Sequence, residues 1–115
     1  MLTRVMVFAT IDKGNEEAFE KAYAEVTAKV KGTPGHVRDE LLRHSTGSDV
    51  MPGAEAVPDP EGTVGYVLLS EWESREAFLS WERDPIHMAT TKPMHPFWAG
   101  RVHRHLYDVA HRLDS

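Results

Sequence analysis

The stretch Val64–Trp72 (VGYVLLSEW) constrains the fold more than any other part of the chain. Side chains of an extended strand alternate between two faces. One face here carries Tyr66, Leu68, Ser70 and Trp72, and the other Val67, Leu69 and Glu71. Both are apolar at their centres, so the sheet that holds this strand has to be covered on both sides. A layer of helices covers one side. A chain of 115 residues has material for one domain over 1–115 and no third layer. A second copy of the chain is the economical cover for the remaining side.

The other elements fall into place around that strand. Residues 2–11 read as a first strand rich in Val, Met, Phe and Ile. Asp12-Lys13-Gly14-Asn15 supplies a turn, with Asn15 placed to cap a helix. From Glu16 to Lys31 the apolar residues Ala18, Phe19, Ala22, Tyr23, Val26 and Val30 recur at steps of three and four. That is one buried face of an amphipathic helix. Glu16 and Glu17 in its first turn and Lys29 and Lys31 in its last complement the helix dipole. Gly32 ends it, and Thr33-Pro34-Gly35 turns the chain into a second strand, His36–Arg43.

Residues 45–63 are rich in Pro and Gly, show no period, and predict a long flexible loop, either a lid or a tolerated insertion. Ser74 caps a second helix, Arg75–Arg83, with Phe78 and Trp81 three apart on one face and Ala77 beside them. Pro85 opens a short helix to about Thr91, Lys92–Trp98 is a Pro-broken segment, and Arg101–Ala110 closes with a strand. The order βαββαβ is that of an α+β, ferredoxin-like domain with an antiparallel sheet. With the two-faced strand, it predicts a homodimer that forms a dimeric α/β barrel.

Composition removes several function classes. Thirteen basic residues against 18 acidic give a net charge of -5, which argues against a nucleic-acid partner. The absence of cysteine excludes disulfides, thiol nucleophiles, Cys-ligated zinc and iron–sulfur clusters. No apolar run approaches the roughly 20 residues of a membrane span, and the N-terminus does not read as a signal peptide. A soluble cytoplasmic protein with no membrane partner is expected. Neither a GxGxxG nor a Walker loop is present.

Two groups of histidines stand out. His103 and His105 share a strand face with Tyr107, as a metal pair or as a subunit contact. A third ligand is missing, so no metal is expected. His87 and His95 keep different company: Trp81, Met88, Met94, Phe97 and Trp98 all lie close by in sequence. Such a wall suits a flat, hydrophobic, phenolic ligand, with His87 or His95 as a proton acceptor near neutral pH. Core packing explains the same histidines equally well. Trp72 and Phe78 fit a core better than a ligand wall, whereas Tyr23 and Tyr66 suit either.

The chain resembles the antibiotic biosynthesis monooxygenase family over nearly its whole length. The resemblance is carried by KGNEEAFEKAYAEV after the first strand, GTPGHVRDELLR through the second, and LLSEWESREAFLSWERDPIH from the third into the second helix. It implies an oxygenase of aromatic polyketide (antibiotic) biosynthesis. Such an enzyme would oxidise a polycyclic phenol, hydroquinone or anthrone with O2 to a quinone or a ring-cleaved product. No metal or haem would be bound, and reduced flavin, the FMN or FAD hydroquinone, would serve at most as a diffusible co-substrate. Under this reading His87 or His95 is the catalytic base. Trp81, Trp98, Phe78, Tyr66 and Trp72 contact the substrate, and Arg101 or Arg104 stabilises an enolate. Haem-degrading members carry an Asn on the first strand with a Trp and a His near the second helix. Here Val7 holds the Asn position, Trp81 matches the Trp, and the His falls near Thr90 or Thr91 unless His87 serves. Haem degradation is therefore not expected. Two other readings remain open: a non-redox polyketide cyclase or aromatase, and a non-catalytic dimeric binding protein.

Overall fold

In the computed structural model, which describes residues 1–45, 53 and 57–115, the two longest strands lie at the centre of the sheet. These are β1, Thr3–Asp12, and β3, Thr63–Trp72, paired antiparallel along their full length from Thr3↔Trp72 to Asp12↔Thr63. The edges are β2, His36–Arg43, against β3, and β4, His103–Asp108, against β1, so the order is β2-β3-β1-β4, all antiparallel. Helices α1 (Glu16–Val30), α2 (Arg75–Arg83) and α3 (Ile86–Thr91) follow the expected sequence positions. Lys92–Phe97 forms a 3₁₀ helix with a proline in its first turn, where the missing N–H costs nothing. This is the α+β ferredoxin-like arrangement. Of the loop expected over 45–63, residues 46–52 and 54–56 lie outside the described residues, and Thr63 already belongs to β3.

Two local expectations change. Asn15 makes no side-chain cap, and instead the Glu16 carboxylate accepts from the Gly14 N–H while the Asn15 carbonyl accepts from Phe19 N–H at 2.9 Å. The Asn15 backbone, at φ -102° and ψ 5°, lies outside the extended region from which a capping side chain reaches the first-turn amides. The last strand is shorter than Arg101–Ala110, because the chain before it is spent closing the sheet end. Ala99 N–H donates to Thr10 O at 2.9 Å, and Trp98 bridges to Ile11.

One face of the sheet carries the core. Val5, Ile11, Tyr66 and Trp72 point at the helices and meet Phe19, Val26, Val30, Phe78 and Met94, all buried. Phe19, fully buried, sits edge-on to Tyr66 at 5.0 Å and to Phe97 at 5.9 Å between ring centroids. The opposite face carries the rows Leu42–Val67–Phe8–His103 and Glu40–Leu69–Met6–His105. No helix among the described residues lies over it, and Phe8, Leu42 and Tyr107 are exposed there. Glu71, on the same face, is only 1% exposed and is held by Arg4 at 2.9 Å, with Arg112 at 3.7 Å and Arg38 at 3.8 Å. No helix among the described residues is long and apolar enough to cross a membrane.

Candidate active site

Between α1 and the inner sheet face lies a cavity of about 240 Å³, bordered at its other side by α2, α3 and the 3₁₀ helix. Local sequence explains how its aromatic wall is set. Ser74 Oγ accepts from Ala77 N–H at 3.1 Å and fixes the start of α2, which aims Phe78 and Trp81 at the sheet. At the far end Asp84 turns the chain: its N–H donates to Trp81 O, its carboxylate accepts from Ile86 N–H at 2.9 Å, and its carbonyl accepts from His87 N–H at 2.9 Å. The turn lays the His87 ring edge-on against Trp81, with centroids 5.1 Å apart and planes at 89°.

His87 is half-buried, and burial first, then the nearby His95 and Arg104, hold its pKa below the ordinary 6.5; Glu82 works in the opposite sense. The imidazole is therefore neutral at neutral pH and able to accept a proton. His95 stands beside it, with Nε2 3.2 Å from Thr91 Oγ. The Thr91 hydroxyl donates to the His87 carbonyl at 3.1 Å, so its oxygen is left to accept from His95 Nε2–H. Arg104 makes a two-point pair with Glu82, Nε to Oε2 at 3.1 Å and Nη2 to Oε1 at 3.2 Å, and lies over the Phe78 ring.

His87, His95, Trp81, Trp98, Phe78 and Trp72, singled out from the sequence, line this one cavity, and so does Arg104. Trp72 is also core: it is 1% exposed and its Nε1–H donates to Ser70 Oγ at 3.0 Å. Tyr66 and Arg101 are not brought there. They border a second cavity of about 670 Å³ at the other end of the sheet, beside Phe8, Leu42 and His44. Tyr66 sits too far toward the start of β3, and its hydroxyl is taken up by Glu20 at 2.6 Å. Arg101 lies in the exposed link before β4. His103 and His105 lie on the uncovered sheet face, His105 between Phe8 and Tyr107. Among the described residues no cluster of three or more His, Asp or Glu side chains is placed to hold a metal ion. Val7 lines the helix–sheet cavity with an apolar side chain, so the position carries no amide to offer a ligand.

Sequence reasoning missed the polar group at the β2 edge of the cavity. Asp39 lines it, with its carboxyl raised by burial and lowered in part by His36, whose Nε2 is 3.0 Å from Oδ2. The distance is that of an ion pair, although the ring N–H does not point at the oxygen well enough to count as a hydrogen bond. Tyr23 also lines the cavity, and its buried hydroxyl has no hydrogen-bond partner among the described residues. Burial, then Asp39 and Glu40, pushes that hydroxyl well above the usual tyrosine range. From the sequence Tyr23 suited a core or a ligand wall equally, and the helix period gave no sign that its hydroxyl is buried without a partner.

Comparison with known proteins agrees with the fold. A family model described as "Antibiotic biosynthesis monooxygenase" matches residues 1–92. The "42.8 kDa protein in whiE locus" of Streptomyces coelicolor is 29% identical over 79% of this chain and 19% of its own length. "Protein SchA" of Streptomyces halstedii is 26% identical over 92% of this chain and 24% of its own length. The chain thus spans about a fifth to a quarter of these two relatives. SnoaB, a solved structure described as a cofactor-independent oxygenase from Streptomyces nogalater, is 20% identical, with a TM-score of 0.65 over 99% of this chain and 97% of that one. At that identity the likeness shows the shared fold.

Proposed function

Because the chain belongs to the antibiotic biosynthesis monooxygenase family, we propose that its helix–sheet cavity is an oxygenase active site for an electron-rich fused-ring aromatic of the polyketide kind. The substrate is a polycyclic phenol, hydroquinone or anthrone, and O2 is the oxidant. The observation that carries this reading is His87, kept neutral by burial and set edge-on to Trp81 in an apolar cavity. As proposed, the enzyme works as a cytoplasmic homodimer with no metal or haem. The description of SnoaB as cofactor-independent supports that last point.

Triplet oxygen reacts slowly with spin-paired organic molecules, so the substrate must first become a good one-electron donor. His87 takes the proton of a phenol or of an anthrone methylene and leaves an anion. The anion passes one electron to O2, and the two radicals join in a C–O bond as a peroxide anion, which takes the proton back from the histidinium to become a hydroperoxide. The histidine then removes the remaining C–H proton as the O–O bond breaks and hands it to the departing hydroxide, leaving a carbonyl and water. For an anthrone the sum is CH2 plus O2 giving C=O plus H2O, with no outside reductant. A hydroquinone would instead give a quinone and H2O2. His95, beside His87, donates to Thr91 and is a second base candidate through Nδ1. The Arg104–Glu82 pair sets the charge at the β4 edge.

Oxygen uptake by the chelator-treated protein with anthrone tests the reading, against a blank without protein. Uptake above the blank, reduced about a hundredfold or more by His87→Ala, is the expected result. A parallel arm with reduced flavin, blanked by reduced flavin and O2 alone, shows whether a diffusible flavin contributes. Substrate altered without oxygen consumption would replace the oxygenase with a cyclase. No change of anthrone in any arm would sink the reading for this substrate class.

A further inference from the structure

The cavity floor is built from two adjacent rows across the sheet. One row is Leu41–Leu68–Val7–Arg104 and the other Asp39–Ser70–Val5–Leu106. Asp39 therefore stands at the β2 edge and Arg104 at the β4 edge, three strand spacings apart, or about 14 Å. His87 belongs to the Arg104 side, since Arg104 and Glu82 both act on its charge. Between the two edges the floor is aliphatic except at Ser70, next to Asp39, whose Oγ is taken up by Trp72 Nε1–H at 3.0 Å. The cavity is thus polar at both ends and apolar in the middle.

The proposed chemistry uses the histidine end only. At the other end, Tyr23 presents a buried O–H with no acceptor among the described residues, and such a group is costly unless a ligand or water completes it. Asp39 has one carboxylate oxygen turned to His36, which in turn lies edge-on to Trp72 at 5.1 Å. The other oxygen is left to accept. A donor that stays neutral and an acceptor held in place by its neighbour form a pair that one hydroxyl group can satisfy from both sides.

We propose that Tyr23 and Asp39 bind one phenolic hydroxyl on the ring of the substrate remote from the reacting carbon, Tyr23 donating to its oxygen and Asp39 accepting its hydrogen. His36 is the positioning residue that holds Asp39. The inference rests on the reading of this cavity as an aromatic-substrate site. It adds a substrate requirement: a terminal-ring hydroxyl, which also fixes which end of a fused-ring molecule meets His87.

Anthraquinone and 2-hydroxyanthraquinone, both inert to O2, are the probes, titrated by calorimetry into the wild type, Tyr23→Phe and Asp39→Asn. The wild type should bind the hydroxylated probe roughly tenfold more tightly, the ratio expected of one to two satisfied hydrogen bonds. Each variant should lose most of that ratio while binding anthraquinone as the wild type does. Their circular dichroism and melting curves confirm that both remain folded. Equal affinity of the wild type for the two probes would overturn the proposal and leave the aromatic-site reading standing, with water completing Tyr23 instead. A ratio preserved in both variants would overturn it too. If neither probe binds the wild type, both the proposal and the aromatic-site reading fail. Oxygen uptake is scored separately, so a hydroxyl preference without turnover would retain the polar end and remove the oxygenase.

Discussion

At the scale of single residues, the cavity's chemistry follows from what surrounds two side chains. His87 has a folded-state pKa held below its ordinary 6.5, chiefly by burial. As pH falls through 6.5 the unfolded chain takes up a proton that the folded chain still refuses, so stability is full above that value and declines below it. Thermal melts between pH 7.5 and 5 should therefore show Tm falling on the acid side, and His87→Gln should flatten part of that fall. The same depression should place the acid limb of kcat/KM below the pH at which a free histidine titrates. A limb at or above 6.5 would mean that another group is the base. Tyr23 gives a second expectation. Without ligand, Tyr23→Phe removes a buried hydroxyl that has no partner and should stabilise the protein by about 1 kcal/mol, a rise of a few degrees in Tm. An unchanged or lower Tm would mean that water already satisfies the hydroxyl. His87 and His95 were legible in the sequence because of their aromatic neighbours. Tyr23 was legible only as a residue of core or ligand wall, because a helix period says which face is buried but not whether a hydroxyl on it finds a partner, and Asp39 was one charge among several on β2.

Among elements, the contact between the α1–β2 turn and α2 shows what sequence pattern does and does not supply. Gly32, Pro34 and Gly35 announced a turn, and a turn is found. The pattern gave no sign that Gly35 also lies against α2. Its φ of +80° favours glycine, and a Cβ placed there would come within 2.5 Å of the Ala77 Cβ. The Gly35 carbonyl meanwhile accepts from Glu73 N–H at 2.8 Å, tying the turn to the residue before the Ser74 cap. Gly35→Ala should thus cost more than about 2 kcal/mol, part backbone strain and part overpacking. Adding Ala77→Gly should recover the overpacking part, although that change alone costs up to about 1 kcal/mol in helix propensity. A chemical-denaturation cycle of the four proteins would show the two positions coupled, and simple additivity would refute the contact. Strand and helix identities were legible for a similar reason in reverse: they depend on local period, which the chain states openly. The register that puts Tyr66 at one end of the sheet and Trp72 at the other depends on pairing with β1. That pairing is why Tyr66 borders a different cavity from the one the sequence assigned it, and Arg101, in the link before β4, borders the same one.

At the scale of the whole molecule, the two faces of β3 meet different surroundings. Its inner face is covered by helices, whereas its outer face, with Val67 between Leu42 and Phe8, has no helix over it among the described residues. Phe8 is 37% exposed, Leu42 40% and Tyr107 50%, and His105 lies between Phe8 and Tyr107, edge-on to the first and stacked on the second. Apolar side chains gathered on one sheet face mark a surface meant for contact. The proposed homodimer would bury this face against its own copy, and two-fold symmetry makes every residue there count twice. Phe8→Glu tests it well, since Phe8 lies outside the buried core of the protomer and the change should leave the fold intact. Placing a carboxylate at two symmetric positions and losing two phenyl contacts should weaken association by about 3 kcal/mol or more, at least a hundredfold. Sedimentation equilibrium at micromolar concentration should find the wild type as a dimer and Phe8→Glu shifted toward monomer, with unchanged circular dichroism. A wild type that sediments as a monomer would remove the barrel. A variant that stays fully dimeric would move the interface to another face of the protein.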